Sequence, residues 1–172
     1  MNIHPLFVHF PIGILTLYIF FELVRVRVIT KQSFYTELKT VLVVLGTVSA
    51  FFASITGGLA EELVEGGKNS VVGASMMPLV EQHSLFAGAM TTVFSLLAFS
   101  YVFEYCKKNT IFPALIRVTF LGCISTYTQK FAVPLAVVAA VLMFVVGGLG
   151  AALVYGPDVD PMVTVIYNIF GI

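Results

Sequence analysis

The chain has 172 residues, 59% of them apolar and only 10% charged, with nine basic and nine acidic side chains and a formal net charge of zero; its mean hydropathy is +1.01. This composition excludes an ordinary soluble globular protein and makes the lipid bilayer the expected solvent and first partner. A balanced charge, with basic residues placed where membrane topology wants them, also argues against nucleic acid as a partner.

Four runs without Asp, Glu, Lys or Arg follow one another at residues 3–21, 40–60, 82–103 and 131–157. Each is long enough to cross a hydrocarbon core of roughly 30 Å at about 1.5 Å of helix rise per residue. They predict helices over residues 5–29, 38–62, 81–105 and 131–155, in a single transmembrane domain covering 1–172. The opening MNIHPLFVHF lacks a basic n-region, so it reads as the start of the first helix rather than a leader. Pro5 suits a first helical position, whereas Pro11 inside the pattern frees the carbonyl of Phe7 and predicts a kink beside His9. Glu22 precedes Arg25 by three residues, which predicts a local ion pair at the membrane surface rather than a proton-relay carboxylate. Arg25, Arg27, Lys31 and Lys39 follow the first run. Lys107, Lys108, Arg117 and Lys130 separate the third from the fourth, and only Lys68 lies elsewhere. By the positive-inside rule those two loops are cytoplasmic, and both termini face outward. The expected location is a bacterial inner membrane, crossed several times.

The second loop is acidic and Gly-rich, and residues 70–78 are expected to cap the outer surface. The segment 111–128 is apolar but carries Pro113 and Arg117. An Arg at mid-membrane costs about 2.5–3.5 kcal/mol on insertion scales, so an interfacial or partly buried helix is expected there in preference to a fifth crossing. The tail 161–172 is too short to span and is expected to lie on the outer surface. Cys106 and Cys123 have neither CxxC nor CxxCH spacing and read as free thiols.

The two halves look alike. GGLAEELVEG at 57–66 matches GGLGAALVYG at 147–156 at six of ten positions. Pro5-Leu6 before His9 and Pro78-Leu79 before His83 correspond more loosely, with Gly13 and Gly88 about one turn on. This predicts an all-α integral membrane four-helix bundle built from two pseudo-two-fold related hairpins, plus a short interfacial helix.

The opening HPLFVHFPIG, residues 4–13, resembles the signature of small bacterial membrane proteins in the domain of unknown function 2231 family. The resemblance rests on His4, Pro5, Val8, His9, Phe10, Pro11 and Ile12, on His83 at the start of the third helix, and on Gly147, Gly148, Leu153, Val154 and Tyr155. It implies four helices and no particular activity. Members of that family often carry His-Gly just after the Tyr, where this chain has Gly156-Pro157-Asp158.

Three histidines on one side of the membrane are the feature with chemical content. Haem b takes one or two imidazoles from facing helices and small residues where the macrocycle meets backbone. The expectation is therefore that His9 and His83 ligate the iron and His4 supports them, with Gly13, Gly57, Gly58, Gly88, Gly147 and Gly148 making room. Such a protein would be an electron-transfer or redox-sensing subunit beside a cytochrome or another membrane redox subunit, in a homo- or hetero-oligomer. Small residues at helix contacts are also the ordinary means of close packing in lipid. A zinc or copper site from His4, His9, His83 and Glu81 is an alternative, although His4 and His9 stand about 140° apart around a helix. A cofactor-free accessory subunit is the other. No Ser–His–acid grouping supports a hydrolase, and enzymatic activity stays open.

Overall fold

Seven helices lie among the described residues: α1 (His4–Leu23), α2 (Arg27–Thr30), α3 (Tyr35–Gly66), α4 (Val71–Lys108), α5 (Thr119–Lys130), α6 (Ala132–Tyr155) and α7 (Pro161–Ile169). This computed structural model describes residues 4–24, 26–66, 71–108 and 119–170. Four of the helices are long and apolar enough to cross a membrane, over Leu6–Leu23, Tyr35–Ala60, Met76–Lys108 and Ala132–Tyr155. The expected all-α bundle is what forms.

Two helix ends depart from the expected ones. The first helix stops at Leu23 and a separate single turn, α2, follows at Arg27–Thr30. The third long helix starts at Val71, so its Pro78 lies inside it, as Pro11 lies inside α1. A proline costs one backbone hydrogen bond and a clash, and a long helix packed on both sides can absorb both. Residues 71–78 are thus the first turns of α4 and not a separate cap. Of the segment 111–128, residues 119–128 belong to α5, and 111–118 lie outside the described residues. At 12 residues α5 is about 18 Å long, too short to span. It packs on α4 and runs almost directly into α6, with the Phe131 N–H donating to the Tyr127 carbonyl at 3.0 Å.

The spanning helices form a ring in which α1 touches α3, α3 touches α4, α4 touches α6 and α6 touches α1. Helices α1 and α4 therefore face each other across the diagonal. Their side chains meet in the centre, where Tyr18 lies edge-on to Phe94 (centroids 6.3 Å apart) and to Tyr101 (5.9 Å). Lipid supplies no hydrophobic drive between apolar helices, so close packing and interhelical polar contacts must hold them together. Gly46 provides the first: a Cβ there would sit 2.6 Å from Leu15 Cγ, inside the fully buried Leu15 side chain. Thr47 and Thr16 provide the second, with hydroxyls donating to the Phe94 carbonyl (3.3 Å) and to Met143 Sδ (3.4 Å). Large apolar side chains such as Leu17, Phe51, Phe52, Ile55 and Val141 are exposed on the outside, as a lipid-facing surface requires.

The two halves share a burial pattern, in a different register from the string match. Buried Leu15, Tyr18, Ile19 and Glu22 of α1 correspond, 79 residues on, to buried Phe94, Leu97, Ala98 and Tyr101 of α4. Buried Tyr35, Lys39 and Val43 of α3 correspond, 93 residues on, to buried Thr128, Ala132 and Ala136. In this register His4 answers to His83 and Gly57 to Gly150, not to Gly147. The glycine-rich strings align by composition at a shift three residues short, and only packing reveals which turn faces inward. Beyond α6, Gly156 reverses the chain with φ +93°, and Asp160 caps α7 by accepting from the Met162 and Val163 N–H groups at 2.7 and 3.3 Å. Helix α7 lies on α6, with Ile166 seated over Gly148.

Candidate functional site

Two polar constellations occupy opposite ends of the bundle. The first is the imidazole pair His4 and His83. His4 is in the first turn of α1 and lies on α3, where its Nδ1 is 3.1 Å from Thr56 Oγ1 and its Cε1 would be 3.2 Å from a Cβ on Gly57. His83 lies on α6 in the same way, its Cε1 3.2 Å from where a Cβ on Gly150 would be. Each ring thus occupies the space a neighbouring glycine leaves. The two rings are close enough to interact electrostatically.

The repeat is broken where the chemistry differs. The residue that answers to Thr56 in the second half is Leu149, fully buried and unable to accept a hydrogen bond. Accordingly the Nδ1 of His83 is buried with no hydrogen bond of normal geometry, although the Val146 backbone lies nearby. His4, outside the spanning segment, is half-buried, and that desolvation pushes its pKa below the usual 6.5 against a smaller opposing effect from the Ala53 backbone. It is therefore neutral near pH 7, and a neutral imidazole offers a lone pair on one ring nitrogen.

The other residues expected at this end do not join the pair. His9 is on an exposed face of α1, because with His4 turned to α3 a residue five positions on is carried about 140° away. Cβ atoms on Gly13, Gly58, Gly88 and Gly147 would meet nothing within 4 Å, and Gly148 is covered by Ile166. These glycines frame no cavity. The side chains of Glu61 and Glu65 lie outside the described residues. No cluster of three or more His, Cys, Asp or Glu able to hold a metal ion occurs among the described residues, so a zinc site from His4, His9, His83 and Glu81 is not assembled. Cys106 and Cys123 are free thiols.

The second constellation was missed by reading Glu22 against its sequence neighbour. Arg25 lies outside the described residues, and Glu22 points into the bundle with 1% of its surface exposed. Lys39 Nζ of α3 approaches Glu22 Oε2 at 2.8 Å, and the Tyr101 hydroxyl of α4 donates to the same oxygen at 2.6 Å. The ammonium also lies over the rings of Tyr35 (5.0 Å) and Tyr101 (5.2 Å). The Tyr35 hydroxyl donates to the Phe21 carbonyl and holds that ring in place. In the second half Ala132 stands where Lys39 stands in the first, so this ion pair exists once. The available signal was Tyr18-x-x-x-Glu22, two polar groups on one face of an otherwise apolar helix. Eighteen residues separate His4 from Glu22, about 27 Å along α1.

A cleft of about 630 Å³ opens beside this ion pair, between α3, α4 and α5, with Glu37, Tyr101, Glu104, Lys107, Lys108 and Gln129 among its walls. Lys107 pairs with Glu104 at 3.7 Å and Lys108 with Glu37 at 3.9 Å, both partly exposed. Ser125 donates to Glu104 Oε1 at 3.1 Å, joining α5 to the rim.

No curated protein and no solved structure matches the chain. Residues 1–160 match a family of predicted membrane proteins, DUF2231. With four apolar helices ringed as a bundle and a match over nearly the whole length, the chain belongs to the DUF2231 family of predicted membrane proteins.

Proposed function

We propose that this protein is a small haem b-binding subunit of a bacterial inner membrane, with both termini outside and His4 and His83 as the ligand pair. The observation that carries the reading is the pair itself: two imidazoles from diagonal helices, each seated over a glycine of a neighbouring helix at the same end of the bundle. The donor chemistry fits. His4 engages Thr56 through Nδ1, an orienting contact of the kind that ligating imidazoles make, and the buried Nδ1 of His83 makes no hydrogen bond of normal geometry. When bound, haem supplies a one-electron couple, and the subunit would exchange electrons with a cytochrome or another membrane redox subunit in a homo- or hetero-oligomer. Gly57 and Gly150 seat the imidazoles.

That seating also favours a second reading, a cofactor-free accessory subunit in which both histidines are packing groups at helix ends. The two are separated by expression with ample haem and purification in detergent. The haem reading expects a reducible Soret and α-band spectrum that is lost or greatly weakened in His4→Ala and in His83→Ala and kept in His9→Ala. Colourless wild-type protein would establish the accessory reading instead.

A further inference from the structure

We propose that Glu22 is a proton-carrying carboxylate that exchanges with the aqueous phase at the basic end of the bundle through the α3–α4–α5 cleft. The inference is independent of the imidazole pair, about 27 Å away along α1.

An ion pair taken out of water is weak evidence for stability, because desolvation costs as much as the attraction returns, and ionisable groups inside membrane bundles commonly mark proton paths. Glu22 and Lys39 are such a pair, and their surroundings suit both charge states of the carboxyl. With Glu22 ionised, Lys39 and Tyr101 both bond Oε2. With Glu22 neutral, Lys39 keeps the faces of Tyr35 and Tyr101 as partners for its charge. Tyr18 lies one turn before Glu22 on the same face. Its fully buried hydroxyl has Glu22 and Tyr101 as electrostatic neighbours but makes no hydrogen bond of normal geometry. That oxygen is an acceptor in reserve for a protonated carboxyl.

The route out runs through Tyr101. Its hydroxyl is bonded to Glu22 and its side chain is a wall of the cleft, whose other walls include Glu37, Glu104 and Gln129. Loading is a two-step shift: Tyr101 gives its hydroxyl hydrogen to Glu22 Oε2 and takes a proton from a hydronium ion in the cleft, leaving water. The net change is one proton and one positive charge gained, with Lys39 remaining an ammonium. Release reverses it. Among the described residues, the groups facing Glu22 include Tyr18 on its own helix, Lys39 and Tyr35 on α3, and Tyr101 on α4. Helix α6 carries no titratable side chain but Tyr155, at its far end.

The test is difference infrared spectroscopy on the full chain in lipid nanodiscs, cycled between alkaline and acid pH, with the glutamates carrying a ¹³C carboxyl. A protonated-carboxyl band that appears reversibly, shifts with the label and disappears in Glu22→Gln is the expected result. Glu22→Asp should move the band rather than remove it, which keeps the assignment open to test if the Gln variant fails to fold. After a rapid pH jump, Tyr101→Phe should slow the rise of the band while leaving its final size. The same slowing is expected when Thr40→Cys, in a background with Cys106 and Cys123 changed to Ala, is blocked by a water-soluble thiol reagent in the cleft. Absence of any band assignable to Glu22 overturns the proposal. Unchanged kinetics in both the Tyr101 and the blocked Thr40 variants overturns the cleft as its route.

Discussion

Replacing Lys39 by Met removes one half of an ion pair whose other half cannot reach water. The magnitude follows from burial. An exposed Lys–Glu pair contributes about 0–1 kcal/mol, since solvent screens it and either charge is comfortable alone. Here the side chains are only 11% and 1% exposed, and the distance is 2.8 Å. Breaking a buried pair from one side costs about 3–5 kcal/mol, because the surviving carboxylate keeps its desolvation penalty. The Tyr101 hydroxyl, a neutral donor, stays on Oε2 but brings no compensating charge. We therefore expect Lys39→Met to shift the unfolding equilibrium by about 3–5 kcal/mol, a factor of roughly a hundred or more. Glu22→Gln should cost less, about 1–3 kcal/mol, because the amide oxygen still accepts from Tyr101 and the ammonium keeps its two rings. The double variant Glu22→Leu with Lys39→Met should return to within about 1 kcal/mol of the starting protein or exceed it, since an apolar pair carries no desolvation cost. The assay is equilibrium unfolding in mixed micelles titrated with a denaturing detergent, read by circular dichroism for all four members of the cycle. A Lys39→Met protein within about 0.5 kcal/mol of wild type would refute the reasoning, because that is the cost of a surface substitution.

The glycine register predicts a contrast within one short segment of α6. Gly57→Ala and Gly150→Ala should each destabilise by about 1–3 kcal/mol as the Cβ meets an imidazole at 3.2 Å, while Gly147→Ala should be neutral or slightly stabilising in the same assay. His4 predicts a pH dependence whose sign follows from its lowered pKa. Above the ordinary 6.5 both folded and unfolded chains carry it neutral, and stability is at its full value. As pH falls below 6.5 the unfolded chain takes up the proton first, so stability declines down to the folded pKa and then levels. Thermal unfolding across that window should show the decline in wild type and a smaller one in His4→Ala. Asp160→Ala removes the cap of α7 and should cost about 1 kcal/mol locally, visible as faster hydrogen exchange at Met162 and Val163.

The four spans and the all-α bundle followed from the sequence alone, because a bilayer demands about 20 apolar residues with every backbone group bonded inside the segment. A resemblance in residues 4–13 to the family that the chain belongs to was equally legible. The register in which the two halves share a burial pattern was not. In apolar helices every face is hydrophobic, so periodicity carries no sign of which side turns inward, and Gly147 and Gly150 look alike until one is found beneath His83. The same blindness hid that His4 packs over Gly57 while His9 lies on an exposed face. Glu22 shows the limit most plainly. Its neighbours in the chain offered Arg25, three residues on, whereas its partners in space are Lys39, 17 residues away, and Tyr101, 79 away. Which charges meet inside a bundle depends on helix rotation about axes that sequence spacing does not specify, and only the packed structure decides it.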